Sequence, residues 1–223
     1  MDWTGQIFVY CERGLDPGFW AEPLNAVSNL AFLVAAGLAL AQWRRGAQPG
    51  RRAELALIGL VGVIGIGSFL FHTLATRWAA VADVAPIGVF MLAYLVYALR
   101  RFVGLAWSGT AGLLALFAAA MWAAGSVWCG AGPCLNGSLG YVPALLALAG
   151  VGLWLGWQRH AAARALGCGA GLFLVSLTCR MLDRTLCAAT GAHGLHFIWH
   201  LANATLLYVL LDAALRYGRA EPR

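Results

Sequence analysis

Seven stretches of about 20 apolar residues constrain this 223-residue chain more than any other feature. They run at about 24 to 43, 55 to 74, 79 to 99, 107 to 126, 140 to 157, 165 to 182 and 195 to 215, and each is long enough to cross a bilayer as a helix. Backbone in lipid has no water to bond, so a spanning segment must satisfy its own N–H and C=O groups. The expected fold is an all-α membrane protein, a seven-transmembrane helix bundle forming one domain over residues 1–223, with 1–23 as an extracytoplasmic lead-in. The breaks, among them RRGAQPGRR, CGAGPCLNGS and DRTLCAATGAHG, are too short to hold a second domain. Composition agrees, since 11% of residues are charged against about 25% in a soluble domain.

All fifteen basic residues are arginine. Arg44, Arg45, Arg51, Arg52, Arg100, Arg101, Arg159, Arg164, Arg216, Arg219 and Arg223 fall on one side of a seven-span chain; Arg13, Arg77, Arg180 and Arg184 fall on the other. The positive-inside rule then puts the amino terminus outside and the carboxyl terminus in the cytosol. Arginines that edge membrane spans do not form the continuous basic patch of a nucleic-acid-binding protein. Residues 1–23 lack the basic start and apolar run of a cleavable signal peptide. The Ala, Leu, Gly and Arg bias without lysine suggests a GC-rich bacterial genome, and with it the bacterial inner membrane.

Four of the six cysteines, Cys11, Cys129, Cys134 and Cys187, lie in segments this topology places outside, where disulfides persist; Cys168 and Cys179 lie within the sixth span. Cys129 with Cys134, and Cys11 with Cys187, are candidate pairs. Four free thiols are the alternative, because spacing does not fix connectivity.

Polar residues inside apolar spans mark function, since burying them unsatisfied costs several kcal/mol. His196 and His200 stand four apart in HFIWH and share one helical face, while His72 ends the second span in GSFLFHTL. Two histidines from one helix and one from another suffice for a zinc ion with an open fourth position. Ser68 precedes His72 by one turn and Asp83 opens the third span, so five polar side chains reach one depth near the outer surface. Asp83 is placed to take a proton from a metal-activated water; Ser68 is placed to hold that water or donate to an oxyanion. Plainer readings exist: an intramembrane histidine often bonds a neighbouring helix, and a serine in GIGSF also serves as a small packing residue. The soluble zinc-protease motif H-E-x-x-H does not apply, because Phe197 stands at the glutamate position. His160 reads as solvated, His193 as a loop residue outside the site, and Asp212 as a partner of Arg216 at i, i+4.

The lead-in carries Asp2, Glu12, Asp16 and Glu22. Hard oxygen ligands of this kind suit calcium, so Glu12, Asp16 and Glu22 form a second candidate metal set beside the reading of a solvated acidic segment. Asn25, Ser28 and Asn29 open the first span as caps or as packing beneath the site.

YCE followed by AEPLNAVSN, then GSFLFHTL, Asp83 in VADVAP, RMLDRTLC and HFIWH occur in this order nearly end to end. In that combination the chain resembles the alkaline ceramidase family, within the CREST group of seven-helix membrane hydrolases that includes adiponectin-receptor-like proteins. The resemblance implies zinc on His72, His196 and His200 with Ser68 and Asp83 beside the activated water. It also implies cleavage of the ceramide amide into a sphingoid base and a fatty acid, and a disulfide from Cys11 to the loop holding Cys187. One stretch departs: animal members bind calcium with an Asp-Trp-Cys-Glu-x-Asn lead-in, where this chain reads Val9, Tyr10, Cys11, Glu12, Arg13, Gly14. Calcium here needs Asp16 or main-chain carbonyls as replacements.

The expected activity is therefore a zinc-dependent lipid amidase. The alternatives are a CREST-type hydrolase of another acyl bond such as an ester, a histidine-ligated haem protein, and a non-catalytic receptor.

Overall fold

The computed structural model describes residues 2–46, 51–130 and 132–218; Arg219 and Arg223 lie outside them. The described chain forms α1 (Pro23–Ser28), α2 (Leu30–Arg45), α3 (Arg52–Leu74), α4 (Arg77–Arg101), α5 (Trp107–Gly125), α6 (Val142–Trp157), α7 (Ala163–Leu182) and α8 (His196–Tyr217). A short antiparallel pair, β1 (Trp128–Cys129) with β2 (Gly132–Pro133), and a 3₁₀ segment at Cys134–Tyr141 lead into α6. Seven helices are long and apolar enough to cross a membrane, with α1 and α2 counting as one from Pro23 to Arg45. The protein is a multi-pass, all-α membrane protein.

Helices α3 and α8 are the most buried of the spans. Their neighbours are sequential: α3 packs most extensively on α4, α7 on α8, and α2 against both α3 and α8. The shared core runs through Val61 and Ile64 of α3 and Leu210, Leu211 and Ala214 of α8. Outward faces are as apolar as the core, with Leu116, Trp122, Leu153 and Trp157 exposed, as expected where the neighbour is lipid and not water.

Because consecutive spans run in opposite directions, the residues sort to two ends. His72, Asp83, Cys187 and His196 share one end, called the site end. Among the described arginines, Arg13, Arg77, Arg180 and Arg184 lie there, and the remaining nine edge the opposite end. The lead-in docks across the site end. Gln6 forms a β-bridge with Thr76, its side chain donates to the Leu74 carbonyl (3.1 Å), and a disulfide joins Cys11 to Cys187 across 176 residues. A second disulfide, Cys129–Cys134, closes the loop before α6; Cys168 and Cys179 are free.

Candidate metal centre

Two backbone features bring the helices of the site together. Pro86 lies inside α4 and has no N–H to offer the Ala82 carbonyl four residues earlier. That carbonyl instead packs on Gly67 of α3, where a Cβ would overlap it. The glycine–carbonyl contact sets Ser68 and Asp83, the next residue on each helix, side by side, and Ser68 and His72 lie within electrostatic reach of the Asp83 carboxylate. Asp183 places the other half of the site. Buried at the end of α7, it accepts the N–H groups of Leu195 (2.8 Å) and His196 (3.0 Å) through Oδ1 and of Cys11 (2.9 Å) through Oδ2. A carboxylate at a helix N-terminus also complements the macrodipole. Gly194, at φ +66°, is required here, since a side chain would overlap Asp183.

These elements gather His72, His196 and His200, all buried, with one ring nitrogen from each within 4.8 Å of the others. Hydrogen bonds fix two of the three tautomers. His72 Nδ1 lies 2.6 Å from Glu22 Oε2; a carboxylate only accepts, so Nδ1 carries the proton and Nε2 keeps its lone pair. Ser28 Oγ donates its single hydrogen to the Asn25 carbonyl (2.9 Å). It therefore accepts from His200 Nδ1 at 2.8 Å, which leaves His200 Nε2 free, 3.5 Å from Ser68 Oγ. His72 Nε2 and His196 Nδ1 are buried with no hydrogen-bond partner among the described residues. Imidazole nitrogens buried without a partner in an apolar bundle are free to ligate a metal ion, and a carboxylate behind a histidine is the usual support of a zinc ligand. The donor set fits zinc.

The N-terminal segment roofs the cluster. The Tyr10 ring stacks on His196 at 3.7 Å between centroids and lies 5.1 Å from His72. Burial pushes the Tyr10 phenol above its ordinary pKa, so it stays neutral. Burial also pushes the Glu22 carboxyl up, but hydrogen bonding and charge from His72 and a hydrogen bond from Arg13 outweigh it and hold the group below the usual glutamate value.

The acidic set expected to hold calcium does not converge. Glu12 accepts the N–H groups of Leu24 (2.8 Å) and Asn25 (2.9 Å), capping α1. Glu22 is committed to Arg13, Asn25 and His72. Asp16 accepts from the Gly18 N–H (2.7 Å) in a local turn. Among the described residues the three histidines form the only cluster of metal-ligating type. His193 is exposed, His160 accepts the Ala162 N–H (3.1 Å), and Asp212 pairs with Arg216 at 2.7 Å.

Beyond the polar layer lies an apolar cavity of about 90 Å³. Phe32, Ile64, Ile87 and Asn203 line it, each about one helical turn further into the bundle than Ser28, Ser68, Asp83 and His200. A turn rises about 5.4 Å, so the cavity opens directly beneath the histidines.

Glu22 and Ser28 were legible as a calcium candidate and as packing beneath the site, but not as the supports of His72 and His200, and no role for Tyr10 or Asp183 in the site was read. Glu22 is 50 residues from the histidine it supports and Ser28 is 172 from its own, and no local period links such positions.

Comparison with curated proteins gave no match. The family model described as Ceramidase matches residues 10–221, nearly the whole chain and every group of the centre just described. The chain belongs to the ceramidase family, and with it to the ceramide-type hydrolases.

Proposed function

We propose that this protein is a zinc-dependent amidase that cleaves ceramide within the membrane into a sphingoid base and a fatty acid. The observation that carries the reading is the stacking of two layers: a buried histidine trio with orphaned nitrogens, above an apolar cavity between the helices. His72, His196 and His200 would hold the metal. Bound there, zinc would polarise a carbonyl and acidify a water.

The remaining groups belong to the chain. Glu22 and Ser28 hold the His72 and His200 rings with their Nδ1 atoms protonated. Asp83 takes the proton of the attacking water and returns it to the leaving amine, so that as the C–N bond breaks the water's hydroxyl ends on the fatty acid and its proton on the nitrogen of the sphingoid base. Ser68 donates to the oxygen that gains charge as the carbonyl is attacked. The Tyr10 roof and the Cys11–Cys187 bridge close the site from the aqueous side, while the acyl chain lies among Phe32, Ile64, Ile87 and their neighbours. A water-soluble substrate would have to shed its hydration to reach this depth, so the lipid enters sideways from the membrane.

In this reading residues 1–223 form one seven-helix domain. The arginine bias places the amino terminus and the site end outside, at the periplasmic leaflet of a bacterial inner membrane. The test is to incubate the detergent-solubilised, zinc-analysed protein with labelled ceramide and, separately, with diacyl glycerophospholipid. One zinc per chain, no Soret band and fatty acid from ceramide are expected. Fatty acid from the phospholipid alone would replace the amidase with an esterase, and a Soret band without zinc would replace both with a haem protein.

A further inference from the structure

Arg13 is the most completely bonded charged side chain among the described residues. A guanidinium has five N–H donors, and all five have acceptors here. Nε donates to Glu22 Oε1 at 2.6 Å, Nη1 to the carbonyls of Asp16 (3.1 Å) and Gly18 (2.9 Å), and Nη2 to those of His72 (2.8 Å) and Thr73 (3.3 Å). The side chain is wholly buried.

The acceptors come from three places with one thing in common, the position of His72. The His72 and Thr73 carbonyls belong to the last turn of α3, whose final C=O groups have no intrahelical partner; a cation there also opposes the negative end of the helix dipole. The Asp16 and Gly18 carbonyls shape the loop that returns the lead-in to Pro23. Glu22 uses its first oxygen on Arg13 and its second on the His72 ring. One guanidinium thus holds both the backbone of a metal ligand and the carboxylate that orients its imidazole.

Carbonyl and carboxylate oxygens are also the ligand types a calcium ion takes; here these five surround a guanidinium that the chain itself supplies.

We propose that Arg13 is the built-in cation of the N-terminal segment, a positioning residue that fixes His72 through Glu22 and makes a divalent ion at this segment unnecessary. The inference rests on the histidine trio being the metal centre. It differs from the calcium expectation because the carboxylates that would have ligated the ion are bonded to Arg13, to His72 and to the start of α1.

The test uses the full-length protein in detergent as wild type, Arg13→Ala and Arg13→Lys. Zinc retention is measured against a competing chelator, and calcium uptake by equilibrium dialysis with radiolabelled calcium. Wild type should hold one zinc and take up no calcium. Arg13→Ala should retain zinc about 10- to 100-fold less tightly, the usual cost of removing support behind a metal ligand, with its Cys11–Cys187 bridge intact by mass. Methylguanidinium should restore zinc retention to Arg13→Ala, which no general loss of fold would permit. Arg13→Lys should recover only in part, since an ammonium is a point charge with three donors in place of the five-donor fork. Wild-type zinc retention in Arg13→Ala, or calcium uptake by wild type that Glu22→Gln abolishes, would overturn the proposal. A wild type that binds no zinc at all would remove its premise together with the metal reading, and is told apart by the first measurement.

Discussion

The two ends of the bundle solve the same problem with different outcomes. Each buries polar side chains between apolar helices. At the opposite end the buried groups answer one another: the Tyr97 hydroxyl sits 2.8 Å from Glu54 and 3.1 Å from the Ala214 carbonyl, Tyr94 donates to the Leu210 carbonyl (3.0 Å), and Arg51 donates to that of Leu215 (2.8 Å). Its unpartnered buried atom among the described residues is a single amide oxygen, Gln42 Oε1. At the site end the hydrogen bonds around Asp183 and those between Glu22, Arg13 and His72 leave two imidazole nitrogens without partners among the described residues, His72 Nε2 and His196 Nδ1, along with the amide oxygens of Asn25 and Asn29 and the Thr76 hydroxyl. Polar burial by itself therefore does not mark a centre; polar burial that converges on orphaned ligand atoms does.

The largest effect expected from breaking this contrast is at the histidines. His72→Ala, His196→Ala or His200→Ala should each abolish stoichiometric zinc and ceramide hydrolysis together, by metal analysis and fatty-acid release. Three single variants that all kept zinc would place the metal elsewhere. Asp83→Asn comes next. It should keep its zinc and lose about 10²- to 10⁴-fold in turnover, the range that general base assistance contributes, and loss of zinc instead would make Asp83 a ligand.

The parts of this site that the sequence revealed were those carried by a local period. His196 and His200 repeat at four, Ser68 and His72 repeat at four, and Asp83 stands out by charge within an apolar run; alternating spans then bring them to one end. The seven spans were legible for the same reason, with ends that differ from Pro23–Arg45, Arg52–Leu74 and the other helices by a few residues. What escaped was long-range pairing. Glu22 read as one acid of a calcium set because its neighbours in sequence are acids, whereas its neighbours in space are Arg13 and His72. Ser28 read as a cap or filler, and the helix start is capped by Glu12 from the lead-in instead. Gly67 and Pro86 each look like a blemish in a helix. Their meaning exists only when the Ala82 carbonyl that one frees meets the Cα that the other bares.

That contact offers a sharper test, because it should move stability and catalysis at once. Gly67→Ala drives a methyl into the Ala82 carbonyl, and backbone cannot swing aside as a side chain can. Overpacking of this kind costs about 1–3 kcal/mol, seen as a lower melting temperature in detergent. Separating α3 from α4 also displaces Asp83 from Ser68, so turnover should fall with zinc content unchanged. Gly59→Ala on the same helix meets nothing within 4 Å and serves as the control. Equal behaviour of the two variants would remove the contact from the account.

The smallest expected effect belongs to the opposite end, and its smallness is informative. Tyr97→Phe deletes the hydroxyl that joins Glu54 of α3 to the end of α8, at a cost of about 1 kcal/mol for a lost buried hydrogen bond. Helices α3 and α8 carry all three histidines, so the variant asks whether a weakened tie at one end is felt at the other. Packed helices are rigid over this distance and the core between them, from Val61 to Leu211, is untouched. Melting should therefore shift slightly, while zinc retention and turnover on ceramide stay at wild-type values. A Tyr97→Phe protein that melted normally yet lost zinc would mean that the two ends are coupled through α3 and α8, and that the closed end is part of the machinery it had been contrasted with.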